Sequence, residues 1–299
     1  MTLALEVRAL RKAYGPLQAV DGLDLSAAAG AVTAVLGPNG AGKTTTVEIC
    51  EGLRAADSGD VRVLGLPPGA APLRARVGVM PQQAGAYPGA RCGEMLRLMA
   101  SYYRDPLNPS QLLDRLGLTA ADRTPFRRLS GGQRQRLSLA CAIVGRPAIV
   151  FLDEPTAGLD VQARQETHRL IRDLRDEGVA VVVTSHDMDE TATLADHVVV
   201  VDSGRVVAAG TVADLTTGGD AIRFTSTPGL AVTSLPLPPG ASAAEPEPGR
   251  YVVTGAVSPE LVATVTAWVA SQGALPQDIQ VGRRSLEDVF LELTGRAVR

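Results

Sequence analysis

Lysine is almost missing from this chain: of its 29 lysine and arginine residues, only Lys12 and Lys43 are lysine. Cysteine is scarce too, and Cys50, Cys92 and Cys141 are odd in number and form no C-x-x-C pair. That excludes a disulfide framework and gives no zinc-ligand spacing, so all three read as buried or incidental thiols. Aromatic residues make up 3% of the 299 residues, and histidine occurs three times. No apolar run approaches the ~20 residues that a bilayer span needs; stretches such as Ala148 to Leu152 and Val198 to Val201 are far too short. Glu6 and Arg8 stand where a secretory signal would need an unbroken apolar stretch. A chain that stays in the cytoplasm and does not itself cross the membrane is expected. Positive charge is not in excess either: the formal net charge is −3, so no broadly basic surface, and no nucleic-acid partner, is expected.

What is present is enough for a folded core. The chain is 45% hydrophobic and 20% charged, and at roughly 100 to 200 residues per domain its length predicts one large domain or two ordinary ones. Short β-branched runs alternate with helical patterns over the first two-thirds, which argues for an α/β domain. Residues 31–36, 77–80, 149–153 and 179–184 read as buried strands, and 43–51, 131–144 and 161–177 as helices. Residues 4–9 and 20–25 read as antiparallel strands ahead of that core. From Thr216 the texture changes to Gly218-Gly219 and a proline-rich stretch, Pro236 to Pro248, which places a domain boundary near 217. Beyond it, strands at 222–225, 251–254 and 279–281 and helices at 259–271 and 285–293 predict a small α+β domain over 218–299.

Gly37-Pro38-Asn39-Gly40-Ala41-Gly42-Lys43-Thr44 satisfies G-x-x-x-x-G-K-[ST], after a predicted strand and before a predicted helix. Glycines let the backbone wrap a polyphosphate, whose charge is met by amide N–H groups and the positive end of the helix. In such a loop Lys43 reaches the β- and γ-phosphates and Thr44 ligates Mg²⁺. A bare glycine-rich turn also fits the pattern. Against it, a lysine stands here in a chain whose default base is arginine, as though a compact ammonium were required where a planar guanidinium does not fit.

The apolar run Ala148 to Leu152 ends in Asp153-Glu154, which puts two carboxylates at the mouth of a parallel sheet. Asp153 is placed to hold Mg²⁺ and Glu154 to polarise the water that attacks a γ-phosphate; solvated acids at a strand end are the plainer alternative. Leu129-Ser130-Gly131-Gly132-Gln133 follows the phosphate loop along the chain and precedes a helix, offering a second anion site of exposed amides.

Together these segments resemble the phosphate loop, acid pair and LSGGQ signature of ABC ATPases, the ATP-binding subunits of ABC transporters. The resemblance implies a P-loop NTPase fold of ABC type, with a parallel core sheet, an antiparallel N-terminal subdomain and a helical signature subdomain, spanning residues 1–217. It implies ATP and Mg²⁺ as ligands, with Gly37 to Thr45 around the phosphates and Thr44, Gln82 and Asp153 around the metal. Tyr14 matches the aromatic that stacks on adenine. Gln82, which ends Gly78-Val79-Met80-Pro81-Gln82, matches the glutamine that senses metal and water. Glu154 and His186, in Thr184-Ser185-His186-Asp187, match the catalytic glutamate and switch histidine. Asp160, in Gly158-Leu159-Asp160, matches the D-loop at a dimer interface. In the family, Ser130, Gly131, Gly132 and Gln133 close on ATP held by the other subunit of a head-to-tail dimer, so the resemblance implies a homodimer or a pair with a related ATPase. It also implies a separate transmembrane permease, with this chain peripheral on the inner membrane face.

Ser285 to Gly295 is similar to the closing helix of exporter ATPases of the daunorubicin-type resistance group, which points to export of a drug, antibiotic or lipid-like substrate. Leu286, Val289, Phe290 and Leu293 form one apolar face and are expected to pack on their own domain. Import remains open on the cassette motifs alone, as does a non-transport ATPase acting on ribosomes or DNA, although the paired cassettes or long coiled coil of such proteins are missing. The segment Ala86 to Arg91 departs from the pattern in being rich in glycine and proline. His168, read on a charged helical surface, and His197 receive no role; nor do Arg283 and Arg284.

Overall fold

The computed structural model describes residues 2–82, 87–217, 220–283 and 285–294; the 218–219 pair at the composition change, part of the Ala86 to Arg91 segment, Arg284 and Gly295 lie outside them. The chain begins with a hairpin, β1 (Leu3–Tyr14) and β2 (Leu17–Ala28), followed by β3 (Val32–Leu36) and α1 (Lys43–Cys50). Next come β4 (Ser58–Val63), β5 (Val77–Met80), α2 (Cys92–Ser101), α3 (Pro109–Arg115) and α4 (Gly131–Ile143). After them follow β6 (Ile149–Asp153), α5 (Val161–Asp176), β7 (Ala180–Ser185), α6 (Met188–Leu194), β8 (His197–Asp202) and β9 (Arg205–Gly210).

A six-stranded sheet has the order β5-β6-β7-β3-β8-β9, in which β5, β6, β7, β3 and β8 run parallel. Every residue of β3, β6 and β7 is buried, as expected of strands covered on both faces, and this is why they read as unbroken apolar runs. Alternation sends Val150, Leu152, Val181 and Val183 to a core shared with α2, α3, α4 and α5. It sends Ile149, Phe151, Ala180 and Val182 to the other face, with α1 and the antiparallel sheet β2-β1-β4. Each of the valine, leucine, isoleucine and phenylalanine side chains contributes about 1.5–3 kcal/mol relative to exposure. The two early strands extend beyond the predicted 4–9 and 20–25 because their pairing continues to the Tyr14–Leu17 turn.

Contacts divide the chain into two compact units, Met1–Ala209 and Gly210–Arg299. The division precedes the composition change at 217 because α7 (Val212–Leu215) packs with the last helix rather than with the first unit. The second unit holds β10 (Asp220–Thr225), β11 (Ser242–Glu247), β12 (Arg250–Gly255), α8 (Pro259–Ser271), β13 (Gln277–Arg283) and α9 (Leu286–Thr294). Its antiparallel sheet has the order β11-β12-β10-β13. Ile222, Phe224, Tyr251 and Val253 pack on Leu261, Val265, Trp268 and Val269 of α8. Ser258 caps α8 by accepting from Leu261 N, and Pro259 occupies its first turn. The proline-rich stretch, in which no strand is expected from the sequence, contains β11. Pro246 is tolerated there because β11 is an edge strand. On α9, Leu286, Val289 and Phe290 are buried, whereas Leu293 is exposed.

Candidate functional site

The carboxyl ends of four neighbouring strands converge, and the motif residues follow them directly. β3 leads into the 37–42 loop, β5 into Gln82, β6 into Asp153-Glu154 and β7 into His186. Register sets Leu36 beside Ser185, Asp153 beside Thr184 and Met80 beside Leu152. Ligand sites in open α/β sheets lie at this edge.

The loop after β3 is wedged between backbones. A Cβ on Gly37 would lie 2.2 Å from the Val201 carbonyl oxygen, and one on Gly42, whose φ is 100°, 2.3 Å from that of Ala19. Both positions therefore demand glycine. Gly42 caps α1 without any side-chain bond, and the first turn carries no acid, so its amides remain available to an anion. Lys43 is buried, and its Nζ donates to Gly37 O at 2.7 Å and Pro38 O at 3.0 Å. Burial holds its ammonium below the usual lysine value, against the opposing charges of Glu154 and Asp153.

Asp153 is buried and accepts from Thr44 Oγ1 at 3.3 Å and, more tightly, from Thr184 Oγ1. Burial raises its carboxyl above the ordinary aspartate value, and these two hydroxyls pull the other way. Thr184 Oγ1 also accepts from Glu154 N at 3.0 Å, so one hydroxyl orders both acids. The Glu154 carboxylate is held from two sides. Gln82 Nε2 donates to Oε2 at 3.3 Å, and His186 Nδ1 lies 3.0 Å from Oε1; since an ionised carboxylate only accepts, the Nδ1–H form of His186 donates there. Glu154 itself has φ 48°, a left-handed conformation that costs a non-glycine residue of order 1–3 kcal/mol. Gln135 Nε2 donates to Glu154 O at 2.7 Å, pinning that backbone from α4.

Thr44, Gln82 and Asp153 share a cavity of about 250 Å³. All three offer oxygen, the donor that a hard divalent cation prefers. The buried Glu51 Oε1, in a residue lining the same cavity, has no hydrogen-bond partner. The residues fit Mg²⁺ that keeps part of its water shell.

Elsewhere in the unit, Ser130 caps α4 in a reciprocal box. Gln133 N donates to Ser130 Oγ at 3.2 Å and Ser130 N to Gln133 Oε1 at 2.9 Å. Gly131 and Gly132, in the first turn, have amides with no acceptor inside the helix. Among the described residues, no hydrogen bond joins 130–133 to 37–45. Asp160 is exposed and caps α5, accepting from Ala163 N at 2.8 Å. Tyr14 is partly exposed, with Lys12 Nζ 5.6 Å and Arg54 Cζ 5.7 Å from its ring centroid.

Sequence reasoning missed Thr184, Gln135 and Glu51. Thr184 was the one findable by pattern, as a hydroxyl closing a run of valines. His168 is a correction: it is buried, not on a charged surface, with Nε2 2.6 Å from Glu190 Oε1, while Thr156 Oγ1 donates to Glu190 Oε2 at 2.8 Å. Tertiary packing of α5 on α6 makes that pair.

Comparisons with known proteins place the fold and the family. The family profile described as ABC transporter matches residues 20–157. The daunorubicin resistance ATP-binding protein DrrA3 of Streptomyces coeruleorubidus is 36% identical over 98% of this chain and 96% of its own length. The Nod factor export ATP-binding protein I of Ralstonia nicotianae is 36% identical over 100% and 96%, and the linearmycin resistance ATP-binding protein LnrL of Bacillus subtilis 31% identical over 99% of each. Among solved structures, an ATP-binding subunit of an ABC transporter superposes with a TM-score of 0.65 at 26% identity, covering 72% of this chain and 92% of that one. A dimeric post-hydrolysis cassette bound to ADP and Pi shares the fold, with a TM-score of 0.64 at 23% identity over 69% and 98%. The chain thus belongs to the ABC transporter family, as one of its ATP-binding, ATP-hydrolysing proteins.

Proposed function

We propose that this chain is the energy-coupling subunit of an exporter, hydrolysing ATP to drive a separate transmembrane permease whose substrate is a drug, antibiotic or lipid-like molecule. The observation that carries the reading is the convergence of Lys43, Thr44, Gln82, Asp153, Glu154 and His186 at one sheet edge. Similarity over nearly the whole chain to resistance and export ATP-binding proteins supports export as the direction of transport. No helix among the described residues is long and apolar enough to cross a membrane, which supports a translocation path supplied by a partner, with the chain on the inner membrane face through it.

In this scheme Gly37 to Thr45 and Lys43 enclose the phosphates while Tyr14 stacks on adenine. Thr44, Asp153 and Gln82 hold Mg²⁺, which when bound neutralises charge on the phosphates. Glu154 accepts the proton of the attacking water at a carboxylate oxygen, its orientation fixed by His186 and Gln82. Ser130, Gly131, Gly132 and Gln133 complete the site of a second ATPase subunit, identical or related, with Asp160 near the shared interface. Stimulation of ATP hydrolysis by a co-expressed candidate permease tests the coupling; hydrolysis indifferent to any permease, but raised by ribosomes or DNA, overturns it.

Ser130→Arg puts a bulky cation at the N-cap of α4. ATP binding by the monomer should stay within about twofold, while hydrolysis falls at least tenfold as closure fails. Wild-type hydrolysis by this variant would sink the trans site.

Gln135→Leu keeps the side-chain volume and deletes one hydrogen bond to the base's backbone. That bond is worth about 0.5–1.5 kcal/mol, so kcat should fall up to about tenfold with ATP affinity unchanged. Steady-state kinetics beside a nucleotide-binding titration separates the two, and an equal loss in both would assign Gln135 to folding of the site as a whole.

A further inference from the structure

Glu51 is a half-buried acid, its Oε1 closed off from solvent, that the hydrolytic scheme leaves unused. It ends α1, and with Thr44 and Glu48 it falls at i, i+4 and i+7 spacing, on one face of that helix. Helical side chains lean toward the N-terminus of their helix, which carries the Glu51 carboxylate back toward Thr44. The cavity it reaches is lined also by Glu48, Gln82 and Asp153. The neighbouring acids have their own partners. Arg54 bonds Glu48 through both terminal oxygens, and Thr44 and Thr184 bond Asp153. Glu51 Oε1, by contrast, is buried with none. Burial, reinforced by the charges of Asp153 and Glu48, pushes the Glu51 carboxyl up to about 7. A position needed only for packing would be filled at lower cost by an apolar residue.

We propose that Glu51 is an outer-sphere ligand of the divalent cation that accompanies ATP, accepting hydrogen bonds from water molecules coordinated to the ion beside Thr44 and Asp153. The inference rests on the assignment of that metal site. Among the described residues no three His, Cys, Asp or Glu side chains are grouped to hold an ion by themselves, so water completes the shell of an ion placed beside Thr44 and Asp153. Mg²⁺ dehydrates reluctantly and is typically bound through one or two carboxylates plus phosphate, keeping several waters. A carboxylate lining the same cavity as Thr44 and Asp153 is placed to meet those waters. Partners of this outer kind typically control metal affinity by 10–100-fold.

The test uses the full chain saturated with a non-hydrolysable ATP analogue and titrated with Mn²⁺, free ion being read by electron paramagnetic resonance. Glu51→Gln should raise the Mn²⁺ dissociation constant about tenfold, while metal-free nucleotide affinity stays unchanged. Without ligands its melting temperature should be equal or higher, since a buried charge has been removed. Glu51→Asp, which keeps the charge but withdraws it by one methylene, should fall between the two and serves if the amide variant does not fold. Wild-type Mn²⁺ affinity in Glu51→Gln, alongside weakened binding in Asp153→Asn, overturns the role of Glu51 and leaves the metal site standing. Failure of the wild-type complex to bind Mn²⁺ overturns the metal site and, with it, the inference.

Discussion

Glu154→Gln should lower the rate of ATP hydrolysis by about 10²–10⁴-fold, the usual worth of a general base, and leave ATP affinity within about twofold. The amide is isosteric and can still occupy the position between Gln82 and His186, but it cannot take a proton from water. The backbone should not relax either: the left-handed conformation at 154 is held by Gln135 on its carbonyl and Thr184 on its amide. With hydrolysis blocked, an ATP-bound closed dimer should accumulate, visible as a shift to the dimer on size-exclusion chromatography only when ATP is present. Phosphate release by the purified variant is the decisive measurement, and undiminished turnover would remove Glu154 as the base.

Lys43→Ala should act earlier, on binding itself. Each hydrogen bond to a charged partner is worth about 1.5–3 kcal/mol, or one to two decades in affinity, so an ammonium shared between two phosphates predicts a loss of about 10²-fold or more. Stability should change little. The variant gives up bonds to Gly37 O and Pro38 O, but it also removes a buried charge whose desolvation opposes folding. Lys43→Arg is the sharper comparison in a chain that uses arginine nearly everywhere else. The loop cannot widen for a guanidinium, because Gly37 and Gly42 are already pressed against the Val201 and Ala19 carbonyls. Arginine should therefore rescue less than a tenth of the lost affinity. Isothermal titration with ATP checks both variants, and full affinity in either would mean that the amides of α1 bind the phosphates without Lys43.

Much of the site could be read from residue order. The phosphate loop, the acid pair and His186 each follow a buried strand, and a strand covered on both faces announces itself as a short unbroken apolar run between punctuating residues. The α4 cap was equally local, since Ser130 and Gln133 satisfy each other three residues apart. Local reasoning failed where the partner was distant in sequence. His168 looked exposed because its helical neighbours are charged, and only the packing of α5 on α6 sets it against Glu190. In the second unit, β11 hid behind its proline, because whether a strand lies at an edge is a property of the sheet and not of the strand.

The sequence by itself determined which chemistry this chain carries, because a glycine loop with a lysine, and acids at the end of an apolar strand, are defined by spacings of a few residues. Only the tertiary structure decided which groups act on one another. The sheet order β5-β6-β7-β3 brings Gln82, Glu154 and His186 together and sets Thr184 against Asp153. It also leaves Glu51, two turns along α1, facing the same cavity as Thr44 and Asp153. The physical reason is that a parallel strand pairs through backbone groups common to every residue, so its neighbours are chosen by how whole elements pack, and no short stretch of sequence encodes that choice.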